Sequence, residues 1–492
     1  MNRRLKSGLN YRMLLRVTGG LLRLEGAFMC IPVFVALFYG EADWSIFAVC
    51  AAVTAALGFG LSRYARPETT HFGRRESYLL TGSVWVIFSL LGMLPFIFGS
   101  PRLDVSQAFF EAMSGFTTTG ATSRPSDAPI LSHAILIWMA LMQWLGGMGI
   151  ILFTLAVIPG LNSSGGMQMF NAEVPGITHD KIMPRISQTA MSLWAIYAFL
   201  TLLMALLLWL GPMNLFDAVC HAFGTLSTGG FATPSGLATA FGSDYVIIVT
   251  TVFMFLGGVN FTLIFNVVLG RWHKVRVNDI LRVFCMAIVV FTALFILSNW
   301  LSGNASSWRD LTIGPLFQVV SAITSTGYIW PGFAGWGQFV LALTFVMMLS
   351  GGCAGSTSGG AKIDRLLYLH RRVSNEINRC IHPNAVLSVR INGQVQNPDL
   401  VNKVVSFLAL YLMIIGVGGL LLAALGLPSV DSFFSAFACI SNTGFGASVT
   451  GYGDDFAQLP DAAYWVLAAI MLIGRLEIFT ILVLFSKTFW RR

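Results

Sequence analysis

"SGFTTTGAT", residues 114–122, sets three consecutive threonines and two glycines inside a chain otherwise crowded with leucine, isoleucine and phenylalanine. Of the 492 residues, 55% are hydrophobic and only 11% are charged. A soluble domain of that composition could not cover its surface with polar groups, so the solvent is a lipid bilayer. A helix crosses the hydrocarbon core with about 20 mostly apolar residues. Stretches of this kind lie at 13–39, 44–62, 77–99, 134–159, 186–211, 245–269, 281–301, 337–369 (broken), 402–426 and 461–486. The first follows the basic "MNRRLKSGLNYR" but exceeds a signal-peptide core and has no small-residue cleavage site, so it reads as a retained helix.

The hydroxyl and glycine cluster recurs. Thr-Gly occurs seven times, and requiring Ser, Thr or Asn just before it leaves four copies: Thr118-Thr119-Gly120, Ser227-Thr228-Gly229, Ser325-Thr326-Gly327 and Asn442-Thr443-Gly444. Their glycines are 109, 98 and 117 residues apart, which suggests one unit used four times. Each copy follows a short apolar stretch: "VSQAFFEAMSGF", "LFDAVCHAFGTL", "GPLFQVVSAIT" and "VDSFFSAFACI". These are too short to cross, because at 1.5 Å per residue each reaches about 16 Å, roughly the middle of the membrane. Non-helical backbone at that depth is tolerated only inside protein or against water.

Glycine adopts backbone angles closed to other residues, so one in each copy lets four strands turn their carbonyls toward a shared axis. A ring of such oxygens replaces the hydration shell of a monovalent cation. The short helices end at these loops, and their C-terminal dipoles favour a cation over an anion. The alternative, plain Ser/Thr/Gly-rich outer turns, suits one site better than four in register.

Charge orients the chain. Twenty-six of the 30 Lys and Arg fall in the N-terminal tail and first turn, the connectors near 63–75, 181–185, 271–282 and 362–403, and the C-terminal "KTFWRR", all read as cytoplasmic. With eight acids there, the inner face carries +18; the outer connectors hold three arginines against twelve acids, a balance of −9. An acidic outer face gathers cations. The basic inner face sets topology and has no aromatic-interleaved cluster for nucleic acid.

Seven cysteines without a CxxC pair and seven histidines without paired spacing offer no metal site. A P-loop, a GxGxxG fingerprint and a nucleophile–base constellation are all missing from the sequence, so neither nucleotide binding nor an enzyme is expected. The rivals that remain are a sodium or mixed-cation transporter and, less well supported, a secondary transporter of organic solutes, whose inverted repeats do not match four parallel ones.

The four loops "TTTGAT", "LSTGGFAT", "TSTGYIWPG" and "SNTGFG" resemble the filter pattern of the Trk/Ktr/HKT cation transporter superfamily, in its bacterial Trk-type potassium uptake branch, and the likeness covers essentially the whole chain. It implies an all-α membrane protein, two N-terminal transmembrane helices followed by four pseudo-fourfold helix–pore loop–helix repeats of potassium-channel type. The N-terminal segment is then 1–70. The repeats are 71–160 with filter loop 116–122, 161–275 with 225–231, 276–397 with 323–329, and 398–492 with 440–446. Members with glycine in all four loops generally select potassium, whereas serine in the first accompanies sodium transport in some plant relatives. The resemblance thus implies potassium bound at Gly120, Gly229, Gly327 and Gly444, where physics alone gives a monovalent cation. It also implies a homodimer in a bacterial inner membrane, termini cytoplasmic, working on a cytosolic nucleotide-binding regulatory ring.

Two features lie below the loops. "SGGCAGSTSGGAK", residues 350–362, cannot hold a helix: Gly351, Gly352, Gly355, Gly359 and Gly360 each cost up to about 1 kcal/mol relative to alanine. It reads either as a flexible loop or as a break needed for packing, and the resemblance identifies it with an intramembrane gating loop. Arg475, in "MLIGRLEIFT", lies too deep in the last span to snorkel and must face the protein interior. The resemblance places it in the pore beside that loop. Glu477 is two residues away and points elsewhere on a continuous helix. Glu25 is expected to pair with Arg23 or a connector, and Glu111 either to draw cations or to brace its loop.

Overall fold

The computed structural model describes residues 9–65, 73–124, 131–149, 186–303, 307–445 and 456–491. The expected end of the fourth span (150–159), Gly446 at the end of the fourth loop, and charges such as Asp127, Lys181, Arg185, Asp454 and Asp455 lie outside them.

The chain opens with a helical hairpin, α1 (Tyr11–Tyr39) and α2 (Trp44–Tyr64). The Asn10 side chain caps the start of α1 by accepting from the Met13 N–H, and Gly40 in the left-handed conformation ends it. The two helices approach closely where both carry glycine: a Cβ on Gly58 would lie 2.7 Å from the Gly19 carbonyl oxygen. Lipid offers no hydrophobic drive for helix association, so such contact between small residues holds the hairpin together. Gly58→Leu is expected to lower the melting temperature of the detergent-solubilised protein, the cost of overpacking being about 1–3 kcal/mol. An unchanged melting curve would remove that role.

Four similar units follow. The first has α3 (Arg74–Gly92), α4 (Leu94–Phe98), a short α5 (Val105–Phe116) and a returning α6 (His133–Gly147). The second has α7 (Ile186–Leu210), α8 (Leu215–Leu226), α9 (Pro234–Gly242), α10 (Asp244–Gly258), α11 (Phe261–Val268) and α12 (Trp272–Arg276). The third has α13 (Asp279–Ser302), α14 (Trp308–Ile323), α15 (Gln338–Ser350) and α16 (Ile363–Ile381). After a small antiparallel pair, β1 (Arg390–Ile391) with β2 (Gln394–Val395), the fourth has α17 (Pro398–Ala424), α18 (Ser429–Ile440), α19 (Asp461–Arg475), α20 (Ile478–Phe485) and α21 (Lys487–Trp490).

The re-entrant helices α5, α8 and α18 have 12 residues each, close to the sequence expectation, and are too short to span. In the third unit α14 is longer than expected, with 16 residues, because Ser307 caps it from Asp310 and the chain stays helical through Gly314-Pro315.

The returning helices differ from the sequence reading. Six helices among the described residues are long and apolar enough to cross a membrane. The stretch 337–369 is broken as expected, but 245–269 and 461–486 are also interrupted, at Val259-Asn260 and at Leu476-Glu477. The last break turns the chain by 115°. Averaged over a span, an apolar run reads the same whether straight or bent, so the single polar residues at these breaks, Asn260 and Glu477, did not reveal them.

Two hydrophobic cores meet at the re-entrant helices, and α5 feeds both: Ala108, Ala112 and Phe116 one, Phe109, Phe110 and Met113 the other. Its neighbour from the far end of the chain is α19, through Ser106 donating to Asp461 at 2.6 Å and Phe109 stacked on Trp465 at 4.6 Å between centroids. The fourth unit thus packs on the first, and the set closes into a ring.

Candidate functional site

At the C-terminus of each re-entrant helix the backbone repeats one conformation. Thr118, Thr228, Ser325 and Asn442 take φ of 54°, 53°, 57° and 49°, and two residues later Gly120, Gly230, Gly327 and Gly444 take 77°, 82°, 86° and 68°. Between them, the amides of Thr119, Gly229, Thr326 and Thr443 bond back to Ser114, Gly224, Ser321 and Ala438 at 2.8–3.0 Å. The second loop is therefore shifted by one residue from the sequence alignment. Gly230, not Gly229, matches the other three glycines, and Gly229 stands where they carry threonine. Two adjacent glycines made either register readable, and only backbone conformation separates them.

Each of these glycines faces the next loop. A Cβ on Gly120 would lie 2.0 Å from the Gly229 carbonyl oxygen, on Gly230 2.1 Å from that of Thr326, on Gly327 2.0 Å from that of Thr443, and on Gly444 2.1 Å from that of Thr119. The chain of contacts closes on itself, so the four loops surround one axis. Hydroxyl pairs stiffen three of them: Thr117 with Thr119, Thr324 with Thr326, and Ser441 with Thr443, each at 2.8 Å. In the second loop Gly229 has no hydroxyl, and Ser227 turns back to the Gly224 carbonyl at 3.1 Å.

Behind the loops, Glu111 accepts from the Ser123 amide and Thr122 hydroxyl, both at 2.7 Å, and Gln318 accepts from the Trp330 amide at 2.8 Å. Of the two readings of Glu111, this geometry fits bracing. Glu25 does not pair with Arg23. It is fully buried with neither carboxylate oxygen hydrogen-bonded among the described residues, while Arg23 lies over the Phe59 ring at 5.2 Å.

Residues 350–362 lie directly against the loops. Gly351, Gly355 and Gly360 have φ of 61°, 74° and 75°, which explains why α15 cannot run on. The Thr357 hydroxyl donates to the Leu226 carbonyl at 2.9 Å, and the Gly359 amide to the Ser325 hydroxyl at 2.5 Å. A Cβ on Gly359 would meet the Ser441 carbonyl oxygen at 2.1 Å. Gly352 packs under the second unit, where Cys353 donates to Gly258 at 2.9 Å. The segment thus touches the second, third and fourth loops.

Arg475 ends α19 one residue after Gly474, as Gly147 follows Gly146 and Gly258 follows Gly257, so a cation stands in one unit where two others have glycine. Its guanidinium donates to Thr357 O at 2.8 Å, to Gly146 O at 2.8 Å and to Gly147 O at 2.7 Å. One side chain of the fourth unit thus joins two carbonyls of the first unit to one of the glycine-rich segment. Glu477 does not serve it; past the break it pairs with Arg365, which also lies 3.9 Å from the centre of the Phe407 ring. Sequence reasoning missed Lys362 as a buried cation: its ammonium donates to the Ser358 carbonyl. A cavity beneath the segment is lined by Met148, Phe261, Lys362, Arg365, Arg475 and Glu477.

Comparison with known proteins places the chain in a family. Residues 44–491 match the model of the family described as TrkH, cation transport protein. The chain is 37% identical over 486 residues to the Trk system potassium uptake protein TrkH of Escherichia coli strain K12, covering 98% of this chain and all of that protein. It is 34% identical over 505 residues to TrkH of Halomonas elongata, again over 98% of the chain and the whole relative. The crystal structure of the potassium transporter TrkH from Vibrio parahaemolyticus superposes with a TM-score of 0.87 at 34% identity, over 98% of this chain and 100% of that one. Identity at this level over the full length, with the same fold, leaves one conclusion: the chain belongs to the TrkH family of cation transport proteins.

Proposed function

We propose that this protein takes up potassium through a gated, channel-like pore in the cytoplasmic membrane of a bacterium. The observation that carries it is the closed sequence of contacts between the glycine of each loop and the carbonyl of the next. Carbonyls arranged about one axis at the ends of four helix dipoles suit a dehydrated monovalent cation. The filter is formed by Thr118-Thr119-Gly120, Ser227 with Thr228-Gly229-Gly230, Ser325-Thr326-Gly327 and Asn442-Thr443-Gly444. Residues 350–362, held by Arg475, obstruct the path beneath and move aside when it opens.

The inside-negative potential supplies the driving force, about 2.3 kcal/mol per 100 mV, or roughly fifty-fold accumulation. The N-terminal hairpin, 1–70, and repeats 71–160, 161–275, 276–397 and 398–492 are its units. Its basic inner connectors suit a cytoplasmic placement of both termini. The relatives' naming as parts of a Trk system supports a further component, which in this reading is a cytosolic nucleotide-binding regulator beneath a homodimer.

The test is rubidium uptake into vesicles containing the purified protein under an inside-negative potential. Unlabelled potassium should suppress it far better than sodium. Equal suppression by the two ions would defeat the potassium assignment.

A further inference from the structure

The second loop is the odd one, and a single residue compensates for it. Gln143 is fully buried in α6 and reaches across to the neighbouring unit. Its amide donates to the Gly229 carbonyl oxygen at 2.7 Å, and its own carbonyl accepts from the Phe231 N–H at 3.1 Å. Those two bonds fix the orientation of the side-chain amide and clamp the backbone on both sides of Gly230. The oxygen it holds is the one facing Gly120 in the ring.

Among the described residues, Gly229 is the one ring carbonyl that accepts from a side-chain amide. Gln143 is the eleventh residue of its 15-residue helix, and the eleventh residues of the two other returning helices of that length are Met254 and Met471. A methionine cannot donate to a carbonyl. The loops with threonine in place of Gly229 have hydroxyl pairs to stiffen them, and the loop with glycine does not. A Cβ on Gly229 would lie 2.4 Å from the Gln143 amide carbon. The glutamine amide thus occupies the space that a threonine side chain would need.

We infer that Gln143 is a positioning residue for ion selection: it stands in for the missing threonine of the second loop and fixes the direction and field strength of one of the four ring carbonyls. A carbonyl that already accepts a hydrogen bond offers a cation a weaker field than one that does not. A weaker field favours potassium and rubidium, whose dehydration costs less, over sodium. This rests on the pore reading above, and it makes the ring chemically asymmetric by design rather than fourfold.

Exchanging the pattern between units tests it. Rubidium uptake with sodium and potassium as competitors is measured for the wild type, Gln143→Met, Gly229→Thr and the double variant Gln143→Met/Gly229→Thr. Gln143→Met leaves the Gly229 carbonyl and Phe231 N–H without their partner, and its potassium-over-sodium preference should fall about tenfold, the worth of about one hydrogen bond. Gly229→Thr alone should lose uptake through collision with Gln143. The double variant reproduces the methionine and threonine of the other units and should recover both uptake and preference. An unchanged ion preference in Gln143→Met, normal selective uptake by Gly229→Thr, or a double variant no better than Gly229→Thr would each overturn the inference. A wild type that does not distinguish potassium from sodium would instead overturn the pore reading itself.

Discussion

Arg475→Ala is expected to raise rubidium flux through the reconstituted protein by about tenfold or more. A cation passing a fixed positive charge in a medium of low effective dielectric meets a Coulomb barrier, and each ~1.36 kcal/mol removed from it raises the rate about tenfold. Removing the guanidinium also removes its bond to Thr357, the residue whose hydroxyl ties the glycine-rich segment to Leu226. Both effects act in one direction, toward an open path. Arg475→Lys separates them, since it keeps the charge but cannot span Thr357, Gly146 and Gly147 with a planar fork. The lysine variant should leak less than alanine and more than the wild type. Unchanged flux in Arg475→Ala, in protein whose melting temperature is intact, would take Arg475 out of the gate.

How much of this could be read from residues alone depends on what kind of signal each feature leaves. The four loops were legible because hydroxyls and glycines at mid-membrane depth contrast with everything around them. Arg475 was legible for the same reason, as a charge inside an apolar run. The breaks at Val259-Asn260 and Leu476-Glu477 were not, because a bent span and a straight one share one hydropathy profile. The register of the second loop also escaped, since Gly229 and Gly230 are chemically identical and differ only in φ. Partners across units were beyond reach altogether: Gln143 meets Gly229 over a separation of 86 residues, and Arg475 meets Gly146 over 329. Glu25 shows the opposite failure, where a plausible near neighbour, Arg23, turned out to face a ring on α2. Local pattern marked the segments that meet around the axis, and only the closed ring assigned their contacts.

Gly120→Ser is expected to reduce the preference for potassium over sodium by about tenfold or more, equivalent to about 1.4 kcal/mol, and to slow uptake as well. Gly120 has φ of 77°, and a side chain in left-handed backbone costs roughly 1–2 kcal/mol by itself. The larger effect is spatial. The new Cβ would sit 2.0 Å from the Gly229 carbonyl oxygen, and backbone cannot swing aside as a flexible side chain can. The loop must shift, the Gly229 oxygen moves with it, and the spacing that suits a larger dehydrated ion is lost. Competition by sodium against rubidium uptake reads this directly, and a ratio equal to the wild type would exclude Gly120 from ion selection. Gly230→Ser then decides the register of the second loop. Its Cβ would meet the Thr326 carbonyl oxygen at 2.1 Å, so the loss should match that of Gly120→Ser. No change at residue 143 should relieve it, because the obstacle is backbone of the third unit, whereas at Gly229 the obstacle is the Gln143 side chain. If Gly230→Ser were tolerated, the contact that joins the second loop to the third would not be part of the conducting ring.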